Sequence, residues 1–349
     1  MIESPLIHAI NRIRREHGDD LLILGHHYQD SSVVAICDVV GDSLELSRQA
    51  AASKATRIVF CGVRFMAETA DILVRGPLGE DIGRKVYLPA LGAGCPMAEM
   101  AEVPALEAAW THLATVDPSA HYRPVVYVNS TAEVKAFCGR HGGSACTSGN
   151  GAQILKHFLD AGDKILFAPD QHLCSNILHA LGYRSDALAL WKRALPNGGL
   201  TPEQIRAARL IAWDGCCVIH AGLTTADVVR ARAATPDAQL LIHPEAPLET
   251  VAQAEMAGST KAIIDAIERA PAGGKYLIGT EQHLVQRLID SYPQLEIHPL
   301  RPIVCQNMSK TRLEQVLYVL ETFPETHRIL VDASLVLDAR ACVQKMLSL

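Results

Sequence analysis

Short apolar runs rich in β-branched residues alternate along this chain with stretches whose apolar positions recur every three or four residues. Runs of the first kind mark buried strands and those of the second mark amphipathic helices, so their alternation predicts βαβ units around parallel sheets. Strands are expected at residues 21–25, 57–63, 86–88, 124–128, 164–168, 239–242, 276–278 and 295–297. Helices are expected at 44–52, 67–74, 132–141, 153–159, 225–233, 248–256, 261–268 and 284–291. Residues 183–201, which contain the turn-forming PNGG, read as a linker.

Three portions of the chain repeat one layout. Each opens with a strand that ends in a polar tip: LLILGHHYQ, PVVYVNS and QLLIHPE. A turn bearing a hydroxyl side chain follows, at Gly41-Asp42-Ser43, Thr147-Ser148-Gly149-Asn150 and Gly258-Ser259-Thr260. Next come a further strand and an acidic helix start (FMAETADIL, FAPDQHL, IGTEQHL), then a cysteine segment (AGCPMAEM, GCCVIHAG, VCQNMSK). The pattern predicts a triplicated α/β architecture, with units at 1–105, 106–200 and 201–300. Residues 301–349 would carry the last cysteine segment and C-terminal helices, the tail packing on the first unit. Equivalent strand ends would then converge on one central site, with one cysteine arriving from each unit.

Composition narrows the function. A chain of 349 residues is long enough for two or three domains. Its net charge of −6 and aromatic content of 5% lack the basic footprint and stacking platforms of a nucleic-acid binder. The apolar stretches are too short to span a bilayer, and MIESPLIHAI lacks the pattern of a signal peptide, so a cytoplasmic chain without a membrane partner is expected. Ten cysteines in a reducing compartment do not suggest a disulfide framework, and many would simply pack. With no C-x-x-C pair and no ferredoxin-like run, any metal site must be assembled from distant parts of the chain.

Several tips carry candidate chemistry. Ser43, Ser148 and Thr260 lie where helices should begin, where free backbone N–H groups bind carboxylate or phosphate; plain capping is the commoner reason for any one alone, but three at matched positions favour a small anionic substrate. His26 and Tyr28 follow a buried strand two residues apart, on one face, an arrangement suited to acid/base work. Tyr127 and Asn129 take the same positions at the middle tip. At the third, His243 and Glu245 pair an imidazole with a carboxylate. Cys95 sits in a turn just before a helix start, a setting that lowers a thiol pKa and favours metal ligation.

Taken together, LGHHYQ, GDSLELSRQAA, FCGVRFMAETADIL, LPALGAGCPMAEM, VVYVNSTAEVKAFC, ACTSGNGAQI, ILFAPDQHL, WDGCCVIH, AQLLIHPEA, AGSTKAII, YLIGTEQHL and VCQNM resemble, in order, the segments of the quinolinate synthases. That resemblance implies three similar three-layer αβα units with parallel sheets around a pseudo-threefold axis. It implies a [4Fe–4S] cluster on three cysteines: Cys95, Cys305 and, from the pattern Gly-x-Cys-x-x-His anchored at Gly215 and His220, Cys217 rather than Cys216. The implied reaction, part of NAD biosynthesis, condenses iminoaspartate with dihydroxyacetone phosphate to quinolinate, with the open iron as Lewis acid. A functional link to an L-aspartate oxidase or aspartate dehydrogenase follows from the same likeness. By resemblance His26, Ser43, Tyr127, Asn129, Ser148, His243, Glu245 and Thr260 bind substrate. Tyr28 and Glu245 lead as proton-transfer groups, with His26 and His220 also near the chemistry.

The chain departs from relatives at Ala246, where many carry cysteine, and at Arg64, Gly149, Gly151 and the NMSK segment; none of these removes a ligand. Three other classes compete with the enzyme reading. An iron–sulfur sensor or regulatory protein would want a basic surface, a zinc hydrolase on His26, His220 and His243 would be colourless, and a metabolite-binding module would need no acid/base groups.

Overall fold

A computed structural model describes residues 5–349. Strands β1 (Leu21–His26), β2 (Val39–Gly41), β3 (Arg57–Cys61) and β4 (Lys85–Tyr87) form a parallel sheet in the order β2-β1-β3-β4. The second sheet holds β5 (Tyr122–Tyr127), β6 (Ser144–Cys146), β7 (Lys164–Ala168), β8 (Leu188–Trp191) and β9 (Leu210–Trp213), ordered β6-β5-β7-β9-β8. The third holds β10 (Gln239–Ile242), β11 (Met256–Ala257), β12 (Lys275–Gly279) and β13 (Glu296–Pro299), ordered β11-β10-β12-β13. A short β14 (Arg328–Ile329) adds to β4 as an antiparallel edge. The architecture is therefore three α/β units with mostly parallel sheets flanked by helices. The central strands are buried almost throughout, which is why they read as unbroken apolar runs rather than alternating ones.

In all three sheets the opening strand (β1, β5 or β10) lies between the next two strands of its unit. The connection leaving it and the one leaving its second neighbour (β3, β7 or β12) therefore run to opposite sides, and a crevice opens at the carboxyl ends between them. This topology places the polar tips after His26, Tyr127 and Ile242 where ligands bind in open α/β sheets.

The ends of the chain close the structure. Helix Pro5–His17 supplies Ile10 and Ile13, and helix Leu313–Thr322 supplies Val316, Val319 and Leu320, to one buried cluster over the first sheet. Helix Ala333–Ser348 runs against helix Ala132–Arg140 of the second unit. A side chain at Gly139 would come within 1.9 Å of the Asp338 carbonyl oxygen, so only glycine permits that approach.

Two local expectations fail. Residues 183–201 are not a linker: they contain edge strand β8, and Trp191 stacks on Trp213 of β9 with ring centroids 6.4 Å apart. A left-handed turn at Asn197 and Gly198 (φ 51° and 65°) folds back over Trp191. Because β8 and β9 pair with each other and β9 pairs with β7, the second sheet runs past residue 200. The helix expected at 248–256 stops at Val251, and Met256–Ala257 pair with Leu241 and Ile242 instead. The exposed edge of β10 needs partners: the Glu255 carboxylate accepts from the Leu240 N–H at 2.6 Å, and the Glu255 N–H donates to the Leu240 carbonyl.

Candidate active site

One cavity lies where the three tips meet. The first tip contributes His26 and Tyr28, the second Tyr127 and Asn129, the third His243 and Glu245. Ser43, Ser148 and Thr260 line it from the turns, and Cys95, Cys217 and Cys305 line it from the third side along with His220. The structure thus brings together every candidate residue drawn from the sequence. Cys216 does not line the cavity; its N–H faces the Met100 sulfur at 3.4 Å.

The hydroxyl positions are now distinguishable from plain caps. Asp42 caps helix Ser43–Ala52 and Ser259 caps helix Thr260–Glu268, so Ser43 and Thr260 are each the first helical residue with the hydroxyl left for other use. Ser148 stands in the turn before helix Gly151–Asp160, whose cap position is Asn150. Its Oγ accepts from His243 Nε2 at 3.1 Å, and Thr260 Oγ1 lies 3.1 Å from the Tyr28 hydroxyl.

Histidines 26 and 243 are held alike. In each, Nδ1 accepts from the backbone N–H two residues on, Tyr28 at 3.1 Å and Glu245 at 3.4 Å. Burial keeps both rings neutral; His243, also beside His220, is lowered to about 3. A neutral imidazole that accepts at Nδ1 carries its proton at Nε2, so both rings present a neutral N–H donor.

A chain of acid/base groups crosses the cavity. His220 Nδ1 bonds the Glu245 carboxylate, and His220 Nε2 lies 3.1 Å from Thr280 Oγ1 and 3.4 Å from the Tyr28 hydroxyl. The Tyr28 hydroxyl also lies 2.8 Å from Thr280 Oγ1. Burial drives the Tyr28 pKa well up against the two threonine hydrogen bonds, so the phenol stays protonated. Burial pushes the Glu245 carboxyl up as well, but the neighbouring His220 and His243 and the nearby Tyr127 hydroxyl outweigh it and hold the carboxyl down at about 2. Glu245 is therefore ionised, is only 3% exposed, and keeps one oxygen, Oε1, with no partner. An unpartnered buried carboxylate oxygen is costly unless a ligand or proton reaches it. Among the described residues lining the cavity there is no lysine or arginine, so anion binding rests on N–H and O–H dipoles.

The three thiols lie near one another, with Cys217 beside the acid/base chain. The lowered thiol expected at Cys95 is not found: burial outweighs the backbone N–H groups of Met97 and Ala98 and raises it to about 12, with Cys305 adding to the rise, and Cys217 is raised by burial, Glu245 and Cys95. Cys217 Sγ, a His220 nitrogen and a Glu245 oxygen lie within 4.8 Å of one another, a donor set able to take a metal ion. Sequence reasoning noted the acidic helix starts but missed what two of them hold. Asp170 accepts from the Cys217 N–H at 3.0 Å and Glu281 from the Cys305 N–H at 3.1 Å. Both sit at helix starts and also accept there from Leu173 and His283 N–H, so in the sequence they look like ordinary caps. Thr280, between Tyr28 and His220, carried no signal beyond its place at a strand end.

Burial of neutral histidines has a consequence for acid stability. His27 is lowered to about 4, first by burial and then by Arg287 and Lys261, and His243 to about 3. Below pH about 6.5 the unfolded rings bind protons that the folded rings refuse, so stability falls as pH drops toward 4. Each such ring adds up to about 1.4 kcal/mol per pH unit to the slope. The thermal midpoint should fall from pH 7 to pH 5, and His27→Leu should flatten the fall; a midpoint equally pH-dependent in both proteins would remove His27 from the account.

Strand tips meeting at one cavity, with an acid/base chain and a reserve of thiols, define an enzyme of the multi-unit α/β class. The family described as quinolinate synthetase A protein matches residues 8–348. A quinolinate synthase from Rhodopirellula baltica is 43% identical over 350 residues, covering 97% of this chain and 89% of its own length. The quinolinate synthases of a Nocardioides species (43% over 360 residues, 99% and 90% covered) and Corynebacterium glutamicum (40% over 352 residues, 99% and 88%) are similarly close. The chain belongs to the quinolinate synthetase A family. No helix among the described residues is long and apolar enough to cross a membrane.

Proposed function

We propose that this cavity condenses iminoaspartate with dihydroxyacetone phosphate to give quinolinate, phosphate and two waters, as part of NAD biosynthesis. The atoms balance without gain or loss of electrons, so the work asked of the side chains is binding and proton transfer. The observation that carries the reading is the Glu245–His220–Tyr28 chain, with its unpartnered carboxylate oxygen, lining one cavity with three thiols from separate segments, Cys217 directly beside it.

Cys95, Cys217 and Cys305 fit a [4Fe–4S] cluster: they are free, line one cavity, are packed among apolar side chains and offer the soft donors that iron–sulfur clusters require. Held by three thiolates, such a cluster keeps one iron open to act as a Lewis acid toward substrate oxygen. Glu245 Oε1, ionised and free, takes a proton from substrate carbon or nitrogen. Tyr28, kept protonated, gives a proton to a departing hydroxyl, and His220 connects the two so the pair can reset between turnovers. The neutral donors of His26 and His243, the hydroxyls of Ser43, Ser148 and Thr260, Tyr127 and the Asn129 amide hold the carboxylates and phosphate. Iminoaspartate is unstable in water, so an aspartate-oxidising enzyme is the partner this reading requires.

Anaerobically purified protein supplied with both substrates should form quinolinate. A protein that retains iron and sulfide yet makes none would sink the proposal. The metal-sized trio of Cys217, His220 and Glu245 favours a second reading, a single divalent ion in place of a cluster. Stoichiometric zinc in colourless, active protein would establish that alternative.

A further inference from the structure

The helices after β7 and β12 correspond residue for residue. Helix Gln171–Ala180 is capped by Asp170 and helix Gln282–Ser291 by Glu281, and these caps hold the N–H groups of Cys217 and Cys305. Six residues beyond each cap stands a side chain that reaches out of its own unit, Asn176 on the first helix and Arg287 on the second. Asn176 Nδ2 donates to the carbonyls of Pro244 and Ala246, both at 2.8 Å. Arg287 Nη1 donates to the Gln29 carbonyl at 2.8 Å and Nη2 to the His27 carbonyl. Each donor pair thus straddles one residue, Glu245 in the first case and Tyr28 in the second.

The match is more than a recurrence of hydrogen bonds. Two carbonyl acceptors dictate which end of the Asn176 amide faces the tip, and Oδ1 is left buried without a partner, a cost borne for those two bonds. The first unit supplies the remaining link. On helix Arg64–Val74, Glu68 accepts from the Ala132 N–H at 3.2 Å, just beyond the second tip, where buried Lys135 donates to the Ser130 carbonyl. The second unit's helix therefore grips the third tip, the third unit's helix grips the first tip, and the first unit's helix grips the segment after the second.

We infer that Asn176 and Arg287 are positioning residues: by clamping the two carbonyls on either side, they fix Glu245 and Tyr28 at the spacing that His220 bridges. The inference rests on the proposed proton-transfer roles of Glu245 and Tyr28. Neither clamp touches substrate; each acts through the backbone of the group it straddles. Geometry of this kind is worth a great deal, since a displacement of about 1 Å in a reacting group costs up to about a hundredfold in rate.

The test uses the anaerobically prepared enzyme with its metal content measured. Asn176→Leu keeps the volume and removes the donors; Asn176→Ala serves if the leucine variant does not accumulate. It should lower kcat about tenfold or more, with KM for both substrates changed far less and iron content unaltered. Added to Glu245→Gln it should cost nothing further, because the group it positions is already disabled. Losses that multiply, or an unchanged kcat in the single variant, overturn the assignment. Arg287→Met should behave likewise with Tyr28→Phe, and Arg287→Lys, which can reach one carbonyl, should recover part of the rate; no recovery overturns the role of Arg287. Amide hydrogen exchange separates this inference from the reading beneath it. Even if Glu245→Gln turned over normally, faster exchange confined to residues 243–248 in Asn176→Leu would uphold the clamp, and unchanged exchange there would overturn it.

Discussion

Cys217→Ser protein purified without oxygen is expected to be colourless and free of iron, and Cys95→Ser and Cys305→Ser should match it. Cys216→Ser should stay brown. The two adjacent cysteines differ in what the chain does with them. Cys217 lines the cavity, and its N–H is tied to the Asp170 carboxylate, which fixes the direction of its side chain. Cys216 points elsewhere, with its N–H on the Met100 sulfur. A three-thiolate site has no spare ligand, so losing one donor should remove the whole visible absorption rather than a fraction of it. Iron content and the absorption spectrum read this directly. Colour lost with Cys216 and kept without Cys217 would reverse the assignment.

Glu245→Gln should retain full iron content and lose about 10²- to 10⁴-fold in kcat, the range for removing a positioned general base or acid. The amide keeps the shape but has no charge, and it can no longer take up a proton at the free oxygen. It also deprives the His220 ring of its anionic partner, so the link to Tyr28 is weakened at the same time. A single-turnover measurement with saturating substrates isolates this from binding. Turnover within a few-fold of the parent would exclude Glu245 from proton transfer.

The line between what could and could not be foreseen follows from how each group is used. His26, Tyr28, Tyr127, Asn129, His243 and Glu245 stand out in the sequence because each breaks an apolar strand run at its end, and strand ends are where α/β sheets keep their sites. The threefold layout was legible for the same reason, and the cysteines acquired roles only through resemblance to a family. Asn176 and Arg287 left no such mark, and Asp170 and Glu281 showed only as acidic helix starts. They act on backbone N–H and carbonyl groups of residues distant in sequence, and nothing in local periodicity or spacing encodes that contact. The strands that went unpredicted, β2, β6, β9 and β11 among them, have only two to four residues, too few for a period to show. At residues 248–256 the helical period was present but lost to the demand of β10 for a paired edge.

The way the two ends of the chain close over the first sheet also bears on how the protein is made. Val316, Val319 and Leu320 join Ile10 and Ile13 over that sheet, β14 completes its edge, and Cys305 stands before both of these C-terminal contributions. During synthesis the first unit, with the helix that carries Ile10 and Ile13, emerges from the ribosome long before residues 313–329, which complete its cover. Its apolar face stays partly uncovered while the two intervening units are made. Vectorial folding thus stops short of a finished cavity, which gains its third thiol, Cys305, only after the second and third units have been made.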